Sequence, residues 1–261
     1  MNNKSKITAA FSGKKCFAAY LMAGDPSLAK TREYIAALAE GGADIIEIGI
    51  PFSDPIAEGE VIQAANLRAK DSGATLDAIF ALTADVSREV AAPLVLMGYL
   101  NPVFRYGYER FFKRCAECAV SGVIIPDLPF EESAELRPFA DEHGVDLITL
   151  VAPTSAERIA KAVRDSRGYV YLVSSMGVTG ARSEITTDLK PLVAEIRRNT
   201  DTPVAVGFGI HSPEQAAKMR ALADGVIVGS AIVDIIARGG GSAAAELTRY
   251  VRSMTAETQY N

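Results

Sequence analysis

Apolar positions in this chain fall into short continuous runs, and a stretch of helical period follows most of them. Eight runs read as strands: "CFAAYLMAG" (16–24), "DIIEIGI" (44–50), "PLVLMGYL" (93–100), "GVIIPDLP" (122–129), "DLITLVAP" (146–153), "YVYLVSS" (169–175), "PVAVGFGI" (203–210) and "DGVIVGSAI" (224–232). Between them, "PSLAKTREYIAALAEGGA" spaces its apolar residues at i, i+3 and i+4 and ends in glycines, as a helix does. "TLDAIFALTADVSREVAA", "SAERIAKAVRDS", "LKPLVAEIRRN" and "SPEQAAKMRALA" repeat that pattern. Strands nearly continuous in Val, Ile and Leu, alternating with helices, predict a parallel sheet covered on both faces. Eight such units in 261 residues predict a closed (β/α)8 TIM barrel of the α/β class, one domain over 1–261. An open dinucleotide-binding sheet calls for a glycine fingerprint after the first strand, and "MAGDPS" is not one. The segment "MNNKSKITAAFSGKK" predicts a short extra helix before the first strand, and "GSAIVDIIARGGG" another after the eighth.

Composition narrows the function. Apolar residues make up 49 %, enough for a sizeable core, and the net charge is −5. With no basic run longer than Lys14-Lys15, a nucleic-acid or anionic-membrane footprint is not expected. No apolar stretch reaches the roughly 18 residues of a membrane span, and the N-terminal segment lacks the apolar core of a signal peptide. Three cysteines, Cys16, Cys115 and Cys118, point to a reducing, cytoplasmic setting. The pair in "CAEC" has redox spacing but lies in a helical pattern, so it reads as helix packing.

In a (β/α)8 barrel the chemistry sits at the C-terminal ends of the strands. Polar residues there are Asp25, Glu47, Asp54, Glu58, Glu60, Tyr99, Asn101, Asp127, Ser174, Ser175, Thr179, His211 and Ser230. None of the ten lysines ends a strand, where a Schiff-base lyase needs one. The two histidines, His143 and His211, are too few and too separated for a metal-dependent aldolase or epimerase. Carboxylate acid–base chemistry remains. A phosphate site is also indicated. "SSMGVTGARSE", "GFGIHSPEQ" and "VGSAIVDIIARGGG" bring glycines to the ends of strands six, seven and eight, the last two just before helices. Glycines admit an anion to backbone N–H groups, and a helix N-terminus attracts it.

Glu47 is the most informative residue. Strand side chains alternate, so Ile45, Glu47 and Gly49 share one face and Ile46, Ile48 and Ile50 the other. The isoleucine face should meet the helices, which turns Glu47 into the barrel. Small Gly49 above it would leave room for a ligand. A desolvated carboxylate there has a raised pKa and can both give and take a proton. The competing reading is a structural carboxylate held by backbone N–H groups.

The motifs "MAGDP", "IEIGIPFSDP", "GYLNPVFRYG", "PDLPFEES", "VSSMGVTG", "GFGI" and "GSAIV", in this order, resemble the α-subunit family of tryptophan synthase along nearly the whole chain. The resemblance implies retro-aldol cleavage of indole-3-glycerol phosphate to indole and glyceraldehyde 3-phosphate. It implies Glu47 as the main acid–base and Glu58 as the second carboxylate, which accepts the indole N–H. Gly180, Gly209, Gly229 and Ser230 would hold phosphate. Tyr20, Met97, Ile124, Phe208 and Ile227 would wall a slot for the ring, with Tyr171 beside the substrate. Asp54 and Thr179 would close a lid and signal to the partner. No cofactor is implied for this chain; pyridoxal phosphate would belong to a β-subunit in an α2β2 tetramer.

The chain departs from the family pattern in one loop. Where relatives read "ADGP", it reads "AEGE". Glu58 keeps the charge of Asp but adds roughly 1.3 Å of reach, and misplacement on that scale can cost on the order of 100-fold in rate. Glu60 in place of Pro is expected to loosen the loop, and Ser175 stands where Arg is common. A weakly active or inactive α-like subunit, acting as an allosteric partner of a β-subunit, is therefore the alternative to the active lyase.

Overall fold

The computed structural model describes residues 5–56, 58–153, 156–173, 188–207 and 209–256. Its strands are β1 (Cys16–Met22), β2 (Ile45–Gly49), β3 (Leu94–Met97), β4 (Val120–Ile124), β5 (Asp146–Leu147), β6 (Thr149–Val151), β7 (Val170–Val173), β8 (Val204–Gly207) and β9 (Gly225–Val228). Every pairing is parallel. The fifth run of the sequence supplies two of these strands. β5 pairs with β4 and β6 with β7, and Ile148 between them donates its N–H to the Val123 carbonyl at 2.9 Å. The two ends of the sheet order β5-β4-β3-β2-β1-β9-β8-β7-β6 are thus halves of one run, which closes the barrel.

The two faces of β2 divide as the alternation predicts. Ile46, Ile48 and Ile50 join the apolar layer between barrel and helices, along with Leu96, Val123, Leu172 and Val206. Ile45 faces the interior with Ala18, Val95, Ile124 and Tyr169. The N-terminal helix Lys6–Ala10, capped by Ser5, belongs to that interior cluster through Ile7, which is fully buried. A side chain at Gly122 or Gly168 would meet Ile7, so small residues there make room for the plug.

The outer helices start and stop as their sequences dictate. Ser27 caps Leu28–Gly41, and Gly42 ends it at φ +101°, a left-handed conformation open to glycine. Gly41 lets Ala243–Thr255 approach closely, since a methyl there would crowd Val251. Pro213–Leu222 opens with a full capping box between Ser212 and Gln215. Glu60 is the first residue of the helix Glu60–Asp71 and is exposed. The substitution thus falls in the helix and not in the loop before it. The first helical position is where Pro is favoured, and an acidic side chain is favoured there by the helix dipole, so the exchange is conservative for the helix. Among the described residues no helix is long and apolar enough to cross a membrane.

Asp25, after β1, is spent on structure. Its carboxylate is 1 % exposed and bidentate with Arg68, at 2.7 and 2.8 Å, which ties Glu60–Asp71 to the barrel rim. Removing the cation strands a buried carboxylate. Arg68→Met is therefore expected to lower unfolding free energy by about 3 kcal/mol, read from urea denaturation.

Candidate active site

A cavity at the C-terminal ends of the strands gathers most of the residues singled out from the sequence. Tyr20, Glu47, Glu58, Met97, Tyr171, Gly209, Ile227, Gly229 and Ser230 line it. Ile62, Ile210, His211 and Ala231 complete its described wall. Ile124 is fully buried in the barrel interior beside Met97 and does not line the cavity. Asp54 is exposed, accepts a hydrogen bond from the Ser53 hydroxyl at 2.5 Å, and lies outside the cavity wall. Ser174, Ser175, Thr179, Gly180 and Phe208 lie outside the described residues. Asp127 is a helix anchor: its Oδ1 accepts the Leu100 N–H at 2.9 Å.

Glu47 stands on the rigid part of the barrel, in register with Tyr20 of β1 and Val95 of β3. It is fully buried. Its Oε1 accepts a hydrogen bond from the Tyr169 hydroxyl, while Oε2 has no partner among the described residues. Among the described residues no backbone N–H group bonds to it, unlike what a structural carboxylate would show. Burial pushes its pKa from 4.5 up to about 7, and the Tyr169 hydrogen bond opposes part of that rise. Tyr169 was missed in the sequence, although it shares a strand face with Tyr171 two residues on.

The expected space above Gly49 is filled. A methyl at Gly49 would overlap the Tyr20 hydroxyl, and one at Gly207 would overlap that of Tyr171. These glycines give two tyrosines room to lie across the upper barrel layer. Burial raises the pKa of both phenols, and the Glu58 and Glu47 charges add to the effect at Tyr20, as Glu47 does at Tyr171.

Glu58 is 8 % exposed and reaches the same cavity from the loop after β2. Its Oε2 accepts a hydrogen bond from the Tyr99 hydroxyl. Opposite, Gly229, Ser230 and Ala231 bring the N-terminus of Ser230–Gly239 to the cavity with no side-chain cap on its N–H groups. Gly209, at φ +81°, needs the freedom of glycine, and its carbonyl lies 2.9 Å from His211 Nδ1. A helix N-terminus without a cap, beside glycines, suits an anion such as phosphate. Among the described residues no group of three or more His, Cys, Asp or Glu could hold a metal ion.

Closed parallel barrel and acidic cavity together are those of a TIM-barrel enzyme. Residues 8–260 match the family model described as "Tryptophan synthase alpha chain". The tryptophan synthase alpha chain of Lacticaseibacillus casei is 48 % identical over 250 residues, covering 96 % of this chain and 94 % of that one. That of Methanosarcina mazei is 54 % identical over 222 residues, 84 % and 80 % of the two chains. A chain of the Mycobacterium tuberculosis tryptophan synthase structure superposes with a TM-score of 0.89 at 35 % identity, covering 99 % of this chain and all of that one. The chain belongs to the tryptophan synthase alpha chain family. Membership makes it an alpha subunit in tryptophan biosynthesis and a lyase.

A carboxyl whose pKa is raised by folding takes up a proton as the chain folds. Its contribution to stability is therefore present below pH 4.5 and lost as pH rises through about 7. Burying the ionised form costs about 3 kcal/mol. From pH 4.5 to pH 8 the stability of Glu47→Gln relative to the parent is expected to improve by about that amount, measured by urea unfolding across pH. In Tyr169→Phe, which loses the hydrogen bond to the carboxylate, Glu47 is expected to titrate above 7, as followed by carboxyl NMR.

Proposed function

We propose that this chain cleaves indole-3-glycerol phosphate to indole and glyceraldehyde 3-phosphate by carboxylate acid–base catalysis, without a Schiff base or a metal. One observation carries the reading: a desolvated carboxyl, Glu47, titrating near neutrality with one oxygen unpartnered among the described residues, in the wall of a cavity that a helix N-terminus also reaches. In this scheme Glu47 delivers a proton to the ring carbon that bears the side chain. The bond from that carbon to the side chain breaks. Glu47, ionised by that first transfer, takes the proton of the hydroxyl on the departing carbon, which becomes the aldehyde as the electrons of the broken bond return to the ring. Glu58 accepts the indole N–H and balances the positive charge of the protonated ring. Gly209, Gly229 and Ser230, with Gly180, hold the phosphate. Tyr20, Met97 and Ile227, with Phe208, would form the apolar slot, Ile124 packs in the interior cluster that Met97 adjoins, and Tyr171 borders the substrate.

The placement of Glu58 favours the active lyase over an inactive α-like subunit. Despite its extra methylene its carboxylate lies in the cavity wall, oriented by Tyr99. For the partner, a tryptophan synthase β-subunit carrying pyridoxal phosphate in an α2β2 tetramer is the assembly we favour. A Pyrococcus furiosus chain from a structure titled "mutual activation of the tryptophan synthase a2b2 complex" has a TM-score of 0.85 at 37 % identity, covering 92 % of this chain and 98 % of that one. Ile56, in the same loop as Asp54, is 75 % exposed, and Phe104 on the helix Leu100–Tyr106 is 65 % exposed. We read these two exposed apolar side chains as part of the surface that the partner would cover. Asp54 and Thr179 would then couple lid closure to that partner.

Single-turnover assay with indole-3-glycerol phosphate tests the reaction. Glu47→Gln is expected to lower the cleavage rate at least 1,000-fold, on the order of a lost acid–base group, while substrate binding by calorimetry stays within a few-fold. Near-normal cleavage in that variant refutes the role of Glu47.

A further inference from the structure

Tyr99 is 3 % exposed and sits where β3 hands over to the helix Leu100–Tyr106. It is absent from the cavity wall. Yet it touches the loop after β2 at three points. Its ring packs on Phe52 with centroids 5.0 Å apart. Its hydroxyl oxygen accepts the Ile56 N–H at 2.9 Å. The same hydroxyl donates to Glu58 Oε2. One side chain thus grips the beginning, the middle and the end of this loop.

We infer that Tyr99 is the positioning residue that holds Glu58 at its working place, and that it makes a glutamate serviceable there. The inference rests on the role proposed for Glu58. A glutamate has one more rotatable bond than an aspartate, so its carboxylate sweeps a larger volume unless something outside the loop restrains it. Tyr99 supplies that restraint from a rigid strand end, and sites supported from such elements keep tighter geometry than sites on loops alone. The Ile56 amide orients the hydroxyl. With that amide occupying an acceptor lone pair, the phenol O–H is directed at the carboxylate. Glu58 therefore follows the position of the loop's own main chain. A movement of exposed Ile56 reaches the carboxylate through a single oxygen.

Substitution Tyr99→Phe keeps the ring on Phe52 and removes only the hydroxyl. A hydrogen bond to a charged group corresponds to about 10- to 100-fold in a rate or equilibrium. We expect kcat for indole release to fall by about that factor, with KM within threefold and the thermal midpoint within a few degrees. Unchanged kcat overturns the inference. So does a fall in kcat that tracks a matching loss of thermal stability, which is the mark of a merely structural hydroxyl. Glu58→Gln, assayed beside it, separates this claim from the one beneath it. Full activity in Glu58→Gln removes the role of Glu58 itself. A slow Glu58→Gln with a fully active Tyr99→Phe removes only the role of Tyr99.

Discussion

Desolvation of one carboxyl organises this structure. Glu47 is carried into the barrel interior by the alternation of a strand whose other face is isoleucine, and nothing basic follows it there among its recorded partners. An ionised carboxylate in such a place is costly, and the surroundings offset only part of the cost. Tyr169 gives a single hydrogen bond. Other neighbours that feel its charge are the phenols Tyr20 and Tyr171 and the Cys16 thiol, whose own ionisation the same charge opposes. The result is a group poised near neutrality rather than one locked in either form. A lysine or arginine at the position of Tyr20 or Val95 would neutralise it and end that poise.

The rest of the barrel works to keep that environment. The plug helix seals the N-terminal end of the interior with Ile7. Gly49 and Gly207 make room for tyrosine rings in the upper layer, so the space above Glu47 is shaped by phenols and not left open to water. The apolar layer between strands and helices fixes β2 from outside through Ile46, Ile48 and Ile50. Loss of packing there would move Glu47 as surely as a change at the site, because a strand residue has no independent means of holding its place.

Much of this was legible in the chain itself, and the exceptions have physical causes. A lone glutamate in "DIIEIGI" stands out because its neighbours set a strict two-residue period. The barrel follows from eight such runs and the helices between them. Tyr169 was hidden because its partner lies 122 positions away, and nothing local marks a tyrosine as a hydrogen-bond donor to a distant strand. The break at Ile148 was hidden because β5 and β6 share one apolar run, and only closure of the sheet splits them. The helix Glu60–Asp71 was not among the helices read from the sequence; its position is set by the Asp25–Arg68 pair and by Asn66, whose side chain accepts the Phe52 N–H at 3.0 Å. Asp25 and Asp127 looked catalytic from sequence because strand ends need anchors as well as catalysts.

Two carboxylates meet in one cavity with different mechanical footing. Glu47 rides a strand paired on both sides and can move only by rotating its side chain. Glu58 rides a loop gripped by Tyr99 at three points, by Asn66 at Phe52, by Gln63, whose Nε2 donates to the Glu58 carbonyl at 2.8 Å, and by the ion pair that fixes the helix beyond. A proton donor that must meet one ring carbon benefits from the fixed mounting. In the proposed reaction, the group that meets the indole N–H tolerates the loop mounting. The exchange of aspartate for glutamate falls on the adjustable side, where a loop can absorb a methylene. The same exchange at a barrel strand would have had no slack to draw on.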